Sequence, residues 1–174
     1  MDLNIVQGYT SDLDEIERLY NEVNDSLESI NYAGWKKGAY PTRADAKKGI
    51  EEQNLFIVKQ GGKIIGSIIL NHKQEEGYNT IAWLSDAKES EVFVIHTLAV
   101  HPAYKRNGIG KHLLLFAENY ARQCNMKSIR LDVYENNIPA IKLYENCGYQ
   151  YLQTIDIGLS CYGLDWFKIY EKVL

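Results

Sequence analysis

The stretch that decides the fold is "HPAYKRNGIGKHLL", His101 to Leu114, in which a short glycine-containing turn gives way to an apolar helical pattern. Gly108 and Gly110 let the backbone turn sharply and approach a ligand closely, because neither residue carries a Cβ. The first N–H groups of a helix have no acceptor within the helix, and they lie at the positive end of its dipole. The pattern therefore predicts a turn at a helix start that holds a phosphate or pyrophosphate group.

Three cations, Lys105, Arg106 and Lys111, accompany these glycines in a chain whose formal net charge is −4 at pH 7. Two other phosphate-binding loops do not fit the turn. A dinucleotide-binding fingerprint needs a third glycine where Leu113 stands, and a P-loop needs glycine at Lys105 and Ser or Thr at His112. Taken alone, the turn is equally compatible with a tight strand-to-helix connection whose cations are solvated.

Hydrophobic periodicity on both sides of the turn predicts alternating strands and helices. The run "VFVIHTLAV" before the turn is typical of one strand buried on both faces, and apolar residues recur every 3.6 positions after it. Two β-branched runs on either side of a Gly61-Gly62 turn predict an antiparallel hairpin of Leu55 to Lys59 and Lys63 to Leu70. The predicted order is β-α-α-β-β-β-α-β-α-β-β, without an internal repeat.

The N-terminal part of the chain predicts a strand, an amphipathic helix and a shorter second helix. Ser11 and Asp14 have capping-box spacing before an apolar periodic run, and Thr42 and Asp45 repeat that spacing. We therefore expect helices that begin near Ser11 and Thr42, the second ending near Glu52. The stretch between them is rich in glycine and aromatic residues, which predicts an irregular loop.

The composition limits the classes to which the chain can belong. Its 174 residues, 45% apolar and 24% charged, predict a single globular domain over residues 1–174. The acidic balance argues against a nucleic-acid partner, and the lack of a long apolar run or a signal peptide predicts a cytoplasmic protein without a membrane partner. The spacing of Cys124, Cys147 and Cys161 indicates neither a disulfide framework nor a metal site, and a homodimer is left open.

The segments "LAVHPAYKRNGIGKHLL" and "RLDVYENNIPAIKLYENCGY" together resemble the Gcn5-related N-acetyltransferase (GNAT) superfamily, most strongly over residues 93–149. The resemblance implies an α+β fold with a central, mostly antiparallel sheet of about six or seven strands, splayed in the middle and flanked by about four helices. It also implies an enzyme that uses acetyl-coenzyme A (acetyl-CoA). The family and the residues themselves thus point to the same phosphate-binding turn.

The resemblance also implies which residues bind the cofactor. The family's loop reads Gln/Arg-x-x-Gly-x-Gly/Ala, and here both glycines fit while lysine takes the first position. Pantetheine is expected to pair with the backbone of Leu98 and Val100, with Asn137 as a further contact and Ala140 leaving room. The loop from Arg106 to Lys111 is expected to cradle the pyrophosphate, and the predicted cofactor-binding residues of this turn are Lys105, Arg106, Asn107, Gly108, Ile109, Gly110 and Lys111.

The implied reaction is direct transfer within a ternary complex. A neutral amine attacks the thioester, a backbone N–H near Leu98 holds the oxyanion, and Tyr144 protonates the leaving thiolate as general acid. An alkylamine with a pKa near 10.4 is almost wholly protonated at pH 7, so a base is needed. We predict His96, on the same strand face as Leu98; the alternatives are a structural role for His96 and a base such as Glu91 or another carboxylate acting through water.

Four aromatic residues, Tyr32, Trp35, Tyr40 and Trp83, are predicted to line the acceptor site, where they bury apolar groups or hold an ammonium. Each of them is alternatively an anchor of the hydrophobic core. The predicted function is N-acetylation of a primary amine of a small molecule or amino acid. The alternatives are acetylation of a protein N-terminus or lysine, and a non-catalytic module that binds coenzyme A.

Overall fold

The computed structural model describes residues 3–28, 34–160 and 163–174. It divides into two compact units: unit 1 comprises Met1–Leu70 and His96–Phe116, and unit 2 comprises Asn71–Ile95 and Ala117–Leu174. The elements in chain order are β1 (Asn4–Gln7), α1 (Leu13–Glu28), α2 (Arg43–Glu51), β2 (Leu55–Gln60), β3 (Lys63–Asn71), β4 (Val92–Ile95), β5 (Ala99–Val100), α3 (Ile109–Gln123), β6 (Ser128–Tyr134), α4 (Ile138–Asn146), β7 (Gln150–Ile155) and β8 (Phe167–Val173).

The predicted α+β class is confirmed. Within the described ranges there are four α-helices and eight strands, and the strand pairs are antiparallel apart from the parallel pair of β4 and β6. The sequence predicted seven strands, one fewer than the structure has. None of the helices in the described residues is both long and apolar enough to span a membrane.

The extra strand arises because the run predicted as one strand, residues 92–100, forms both β4 and β5. Residues 96–98 lie between them and belong to neither strand. β4 pairs with β6, whereas β5 pairs with β3, and the N–H of His96 donates to the carbonyl of Ile69 at 3.0 Å. The break contains the polar residues His96 and Thr97, but two polar residues in an otherwise apolar run are also compatible with a continuous strand, so the pattern did not reveal it.

Unit 1 contains the ladder β1-β2-β3-β5, in which every neighbouring pair is antiparallel. The β2–β3 hairpin turns at Gly61 and Gly62, whose φ angles of 57° and 81° lie in the left-handed region that glycine tolerates. The predicted hairpin is therefore confirmed. Helices α1 and α2 cover one face of this ladder through a core that includes Ile16, Leu19, Tyr20, Ala46, Leu55, Ile57 and Ile64.

The two predicted helix starts in unit 1 had different outcomes. At α2 the N–H of Thr42 donates to Asp45 Oδ2 at 2.7 Å, as the capping-box prediction requires. The predicted start of α1 at Ser11 is wrong, because a 3₁₀ turn of residues 10–12 precedes the helix and Asp12 accepts the N–H of Tyr9 at 3.0 Å. Asp12 also pairs with Lys59 Nζ at 2.7 Å.

Unit 2 contains the ladder β4-β6-β8-β7. Residues 71–90, for which the sequence gave no clear pattern, form an irregular segment with a 3₁₀ turn at Glu76–Thr80. Within this segment Tyr78 is 1% exposed and packs with Ile81, Val94 and Ile169. The irregular segment is thus anchored to the unit's core.

Candidate functional site

The predicted phosphate-binding turn lies wholly in unit 1, directly before α3. His101 begins it, and its Nδ1 accepts the N–H of Ala103 at 3.1 Å, which caps a 3₁₀ turn of residues 102–104. Arg106 and Gly108 have φ angles of 66° and 78°. Two left-handed residues so close together turn the chain sharply into the first residue of α3.

The start of α3 presents unpaired backbone donors. The N–H of His112 donates to the carbonyl of Gly108 at 2.9 Å. For the four residues before it, Gly108 to Lys111, the N–H groups have no backbone acceptor within the described part of the chain. A Cβ built on Gly108 meets no atom within 4 Å, so the space above the turn is open. This donor set fits a phosphate or pyrophosphate group.

The side chains around the turn differ in what they can contribute. Arg106, Asn107 and Lys111 are exposed. Lys105 is exposed too, but its Nζ donates to Ser26 Oγ on α1 at 3.1 Å. We therefore expect Lys105 to contribute mainly through its backbone, and Arg106 and Lys111 to supply the local positive charge.

The sheet of unit 1 supports this turn through Gly66 on β3. A Cβ on Gly66 would lie 3.1 Å from Ile109 Cγ2, 3.3 Å from Leu113 Cδ1 and 3.1 Å from the carbonyl oxygen of Ala99. Ile109 and Leu113 are buried, so the first turn of α3 sits directly on β3. The side chain of Ile109 anchors the helix, so only its backbone is available for the predicted contact with the cofactor.

The strand β5 offers a backbone edge to an extended ligand. β5 pairs with β3 through Ala99, and the N–H of His101 donates to the carbonyl of Ile65 at 2.9 Å. Successive residues of an antiparallel strand direct their backbone groups to opposite sides. The N–H and C=O groups of Val100 therefore point away from β3, where a pantetheine chain can pair like an added strand. Leu98 directly precedes β5, and its pairing with pantetheine stays a prediction.

In unit 2, Asn137 caps the start of α4. Its Oδ1 accepts the N–H of Ala140 at 3.3 Å. Pro139 occupies the first turn, where a backbone N–H would have no acceptor within the helix. The cap occupies only the carbonyl oxygen of the Asn137 amide. Its Nδ2 can still donate to a ligand, as the predicted pantetheine contact requires.

Tyr144 stands on α4 within an aromatic cluster of unit 2. Its ring centroid lies 6.0 Å from that of Tyr149 and 6.4 Å from that of Tyr170, and the residue is 7% exposed. The helix ends at Asn146, and Gly148 follows with a φ of 82°, which lets the N–H of Tyr149 return to the carbonyl of Tyr144 at 3.1 Å. Packing thus fixes the ring of Tyr144, and its role as proton donor stays a prediction.

The predicted base, His96, lies in the break between β4 and β5 and is half-buried. Its assignment stays a prediction. Glu91, the alternative carboxylate, forms an ion pair with Lys127 at 2.7 Å. This partner, together with the N–H of Lys88, lowers the pKa of Glu91, which makes its carboxylate a weaker base.

Sequence analysis missed one carboxylate in unit 2 whose surroundings suit a base. Asp132 lies on β6 and accepts a hydrogen bond from the phenol of Tyr78 at 2.8 Å. Burial raises the pKa of Asp132 to about 6, and the nearby Glu75 adds to this effect. Such a group is ionised at pH 7 and more basic than an ordinary carboxylate. The signal available in the sequence was an aspartate between two apolar strand residues, Leu131 and Val133.

Two of the predicted acceptor residues come together in unit 1. The rings of Trp35 and Tyr40 meet edge to face with centroids 5.9 Å apart. Trp35 packs against the core of unit 1, whereas Tyr40 is 38% exposed. A third, Tyr32, lies outside the described residues.

The fourth predicted acceptor residue, Trp83, has a partner inside unit 2. The guanidinium carbon of Arg130 lies 3.9 Å from its ring centroid, and Tyr78 meets it edge to face. Arg130 is 3% exposed and pairs with the fully buried Glu171 at 3.2 Å. The structure therefore favours the alternative that Trp83 anchors the interior, although its contact with an acceptor stays a prediction.

No group of three His, Cys, Asp or Glu side chains in the described ranges is arranged to hold a metal ion. The sequence-based expectation of no metal stays a prediction. Cys124 and Cys147 form no disulfide bond within the described ranges, and Cys161 lies outside them.

Sequence comparison identifies relatives of this chain. The model of the acetyltransferase (GNAT) family matches residues 16–149. The uncharacterised N-acetyltransferase YhfO of Bacillus subtilis is 30% identical over 148 residues, which are 85% of this chain and 90% of that protein. An uncharacterised N-acetyltransferase of Methanocaldococcus jannaschii is 24% identical over 158 residues, 87% of this chain and 65% of that protein. The chain thus spans just under two thirds of the archaeal relative.

Solved structures share the fold at low sequence identity. A GNAT-family acetyltransferase from Streptococcus agalactiae has a TM-score of 0.81 and 19% identity, over 99% of this chain and 95% of that one. The structure of yncA from Salmonella typhimurium, which contains its cofactor acetyl-CoA, has a TM-score of 0.72 and 15% identity, over 100% and 95% of the two chains. At such identities the likeness concerns the fold.

Proposed function

Because this chain belongs to the acetyltransferase (GNAT) family, we propose that it transfers the acetyl group of acetyl-CoA to the primary amine of a small molecule or amino acid. The observation that carries the proposal is the start of α3, where the N–H groups of Gly108 to Lys111 have no backbone acceptor in the described residues. Family membership supports the acetyltransferase activity, and the open donors support the anionic cofactor. The choice of a small molecule or amino acid as the acceptor goes beyond what family membership supports.

The residues of unit 1 account for cofactor binding in this proposal. The N–H groups from Gly108 to Lys111 donate to the pyrophosphate oxygens, and Arg106 and Lys111 add positive charge. The backbone groups of Leu98 and Val100 pair with the pantetheine amides. When bound, acetyl-CoA supplies the thioester from which the acetyl group is transferred.

The acceptor amine must lose a proton before it attacks. With a pKa near 10.4, only about one alkylamine in 10³ is neutral at pH 7, so a base raises the reactive fraction. His96 is the base that the sequence predicts. Asp132 is a second candidate, because its pKa of about 6 places a basic carboxylate in its ionised form at pH 7.

Tyr144 is proposed as the general acid. Its phenol can donate a proton, and the packing of its ring against Tyr149 and Tyr170 restricts the direction of that donation. A backbone N–H near Leu98 is proposed to hold the developing oxyanion. Both roles come from the resemblance to the family and are tested below.

The experiment measures release of free thiol from acetyl-CoA by the purified chain with panels of small amines, amino acids and peptides. Release that depends on a small amine or amino acid supports the proposal. Release with peptides alone identifies a protein acetyltransferase, and calorimetric binding of coenzyme A without any release identifies a binding module. Absence of binding contradicts the role of the α3 start.

A further inference from the structure

The segment of residues 34–41, called here the aromatic loop, is a closed turn in unit 1. The N–H of Lys36 donates to the carbonyl of Tyr40, and the N–H of Tyr40 donates back to Lys36, each at 3.0 Å. The ring of Trp35 meets that of Tyr40 edge to face. The two aromatic side chains therefore form one unit, and we expect a movement of the loop to displace both rings.

One short hydrogen bond ties this loop to the break between β4 and β5. The phenol of Tyr40 and the hydroxyl of Thr97 are 2.5 Å apart. Thr97 is 1% exposed, whereas Tyr40 is 38% exposed. Thr97 belongs to residues 96–98, which lie outside both strands, and it directly precedes Leu98. The bond therefore links the exposed aromatic pair to the backbone that is proposed to hold the cofactor.

The remaining support beneath the loop is largely polar. Asn24 Nδ2 donates to the carbonyl of Pro41 at 3.4 Å, a long hydrogen bond. Among the described residues, Asn24 Oδ1 is buried without a hydrogen-bond partner. Burial raises the pKa of Tyr20, and Tyr40 adds to this effect, which places Tyr40 near this group. The loop is also held by the buried Pro41 and by an ion pair of Lys37 with Asp25 at 2.7 Å. The bond between Tyr40 and Thr97 is the shortest of the polar contacts, so we expect its loss to loosen the loop.

We propose that Thr97 is a positioning residue for the acceptor: its hydroxyl holds Tyr40, and through it the aromatic loop, as one wall of the acceptor site. The inference rests on the proposed function and deepens it. A paired indole and phenol suit an amine with an apolar or aromatic skeleton, because the rings bury apolar area and attract the edge of another ring. Thr97 itself does not touch the reacting atoms.

The first test measures whether the bond holds the loop, and it needs no activity. Trypsin cleaves after Lys36 and Lys37, which are exposed in the loop. Mass spectrometry of native-state digests should show cleavage there about tenfold faster in Tyr40→Phe and in Thr97→Val, with rates elsewhere unchanged. The double variant should be cleaved at the rate of the single variants, and Thr97→Ser at the rate of the parent.

Tyr9→Phe is the control, because it removes a hydroxyl from a tyrosine that is 62% exposed. Unchanged cleavage in Tyr40→Phe, or additive effects, overturns the proposal.

The second test measures whether the loop positions the acceptor. Tyr40→Phe and Thr97→Val should each raise KM for the best amine about tenfold, with kcat and the Kd for coenzyme A within twofold of the parent. Thr97→Ser should restore KM. Faster cleavage with an unchanged KM contradicts the positioning role. A parent protein that binds no coenzyme A refutes the proposed function instead, while the cleavage rates still decide whether Thr97 holds the loop.

Discussion

The phenol of Tyr78 donates a 2.8 Å hydrogen bond to Asp132, a carboxylate whose pKa burial raises to about 6. The bond stabilises the ionised carboxylate, but desolvation outweighs it. A group kept at such a pKa in the interior lowers the stability of the folded chain at neutral pH. The fold keeps a basic carboxylate in unit 2 at that cost, which is why Asp132 is proposed as a candidate base.

Replacement of Asp132 by asparagine should stabilise the chain at neutral pH. The pKa in the folded state lies above the unfolded value of 3.8, so the folded state loses stability as the pH rises from about 4 to about 6. A full shift of two units corresponds to about 3 kcal/mol. Because part of Asp132 reaches solvent, we expect a gain of about 1 to 2 kcal/mol at pH 7.5 and none at pH 3.5. Urea unfolding at both pH values measures it, and a loss of stability at pH 7.5 contradicts the expectation.

The same variant distinguishes the two candidate bases. If Asp132 accepts the proton, Asp132→Asn lowers kcat/KM about 10²-fold or more at pH 7 and partly recovers as the amine deprotonates in alkaline buffer. His96→Ala then stays within a few-fold of the parent. The pH profile of kcat/KM for the parent should show a group ionising near 6. The reverse pattern, with the large loss in His96→Ala, assigns the base to His96.

Gly66→Ala should weaken cofactor binding without touching the cofactor. The added Cβ would lie 3.1 Å from Ile109 Cγ2 and from the carbonyl oxygen of Ala99, so the first turn of α3 must shift by tenths of an ångström. We expect the Kd for coenzyme A to rise about three- to tenfold in calorimetry. Gly8→Ala is the control, since its Cβ meets the flexible end of Leu55 and destabilises unit 1 away from the turn. If Gly66→Ala binds coenzyme A with the same Kd as the parent, the expectation is wrong.

Trp83→Leu distinguishes a core anchor from an acceptor contact. The ring stacks on the buried Arg130, and a desolvated cation–π contact is worth about 2 kcal/mol. We expect the free energy of unfolding to fall by about 1 to 3 kcal/mol, with KM for the amine unchanged. A tenfold rise in KM at unchanged stability places Trp83 in the acceptor site instead.

Features encoded by adjacent residues could be predicted from the sequence, whereas those set by distant partners could not. The Gly61-Gly62 hairpin and the capped start of α2 depend on neighbours and are as predicted. The environment of Asp132 depends on Tyr78, 54 residues before it, and β5 pairs with β3 although β4 lies between them in the chain. Hydrophobic periodicity reports which residues are buried, and it carries no information on such pairings.

Tyr144→Phe tests the proposed general acid with little disturbance of the fold. The variant keeps the ring that packs on Tyr149 and Tyr170, so stability and the Kd for coenzyme A should stay near the parent values. Loss of one proton donor should lower kcat about 10²-fold. Tyr149→Phe is the matched control, because its buried hydroxyl has no hydrogen-bond partner in the described residues and its removal should leave kcat unchanged. If kcat of Tyr144→Phe stays within twofold, Tyr144 is a packing residue and another group protonates the thiolate.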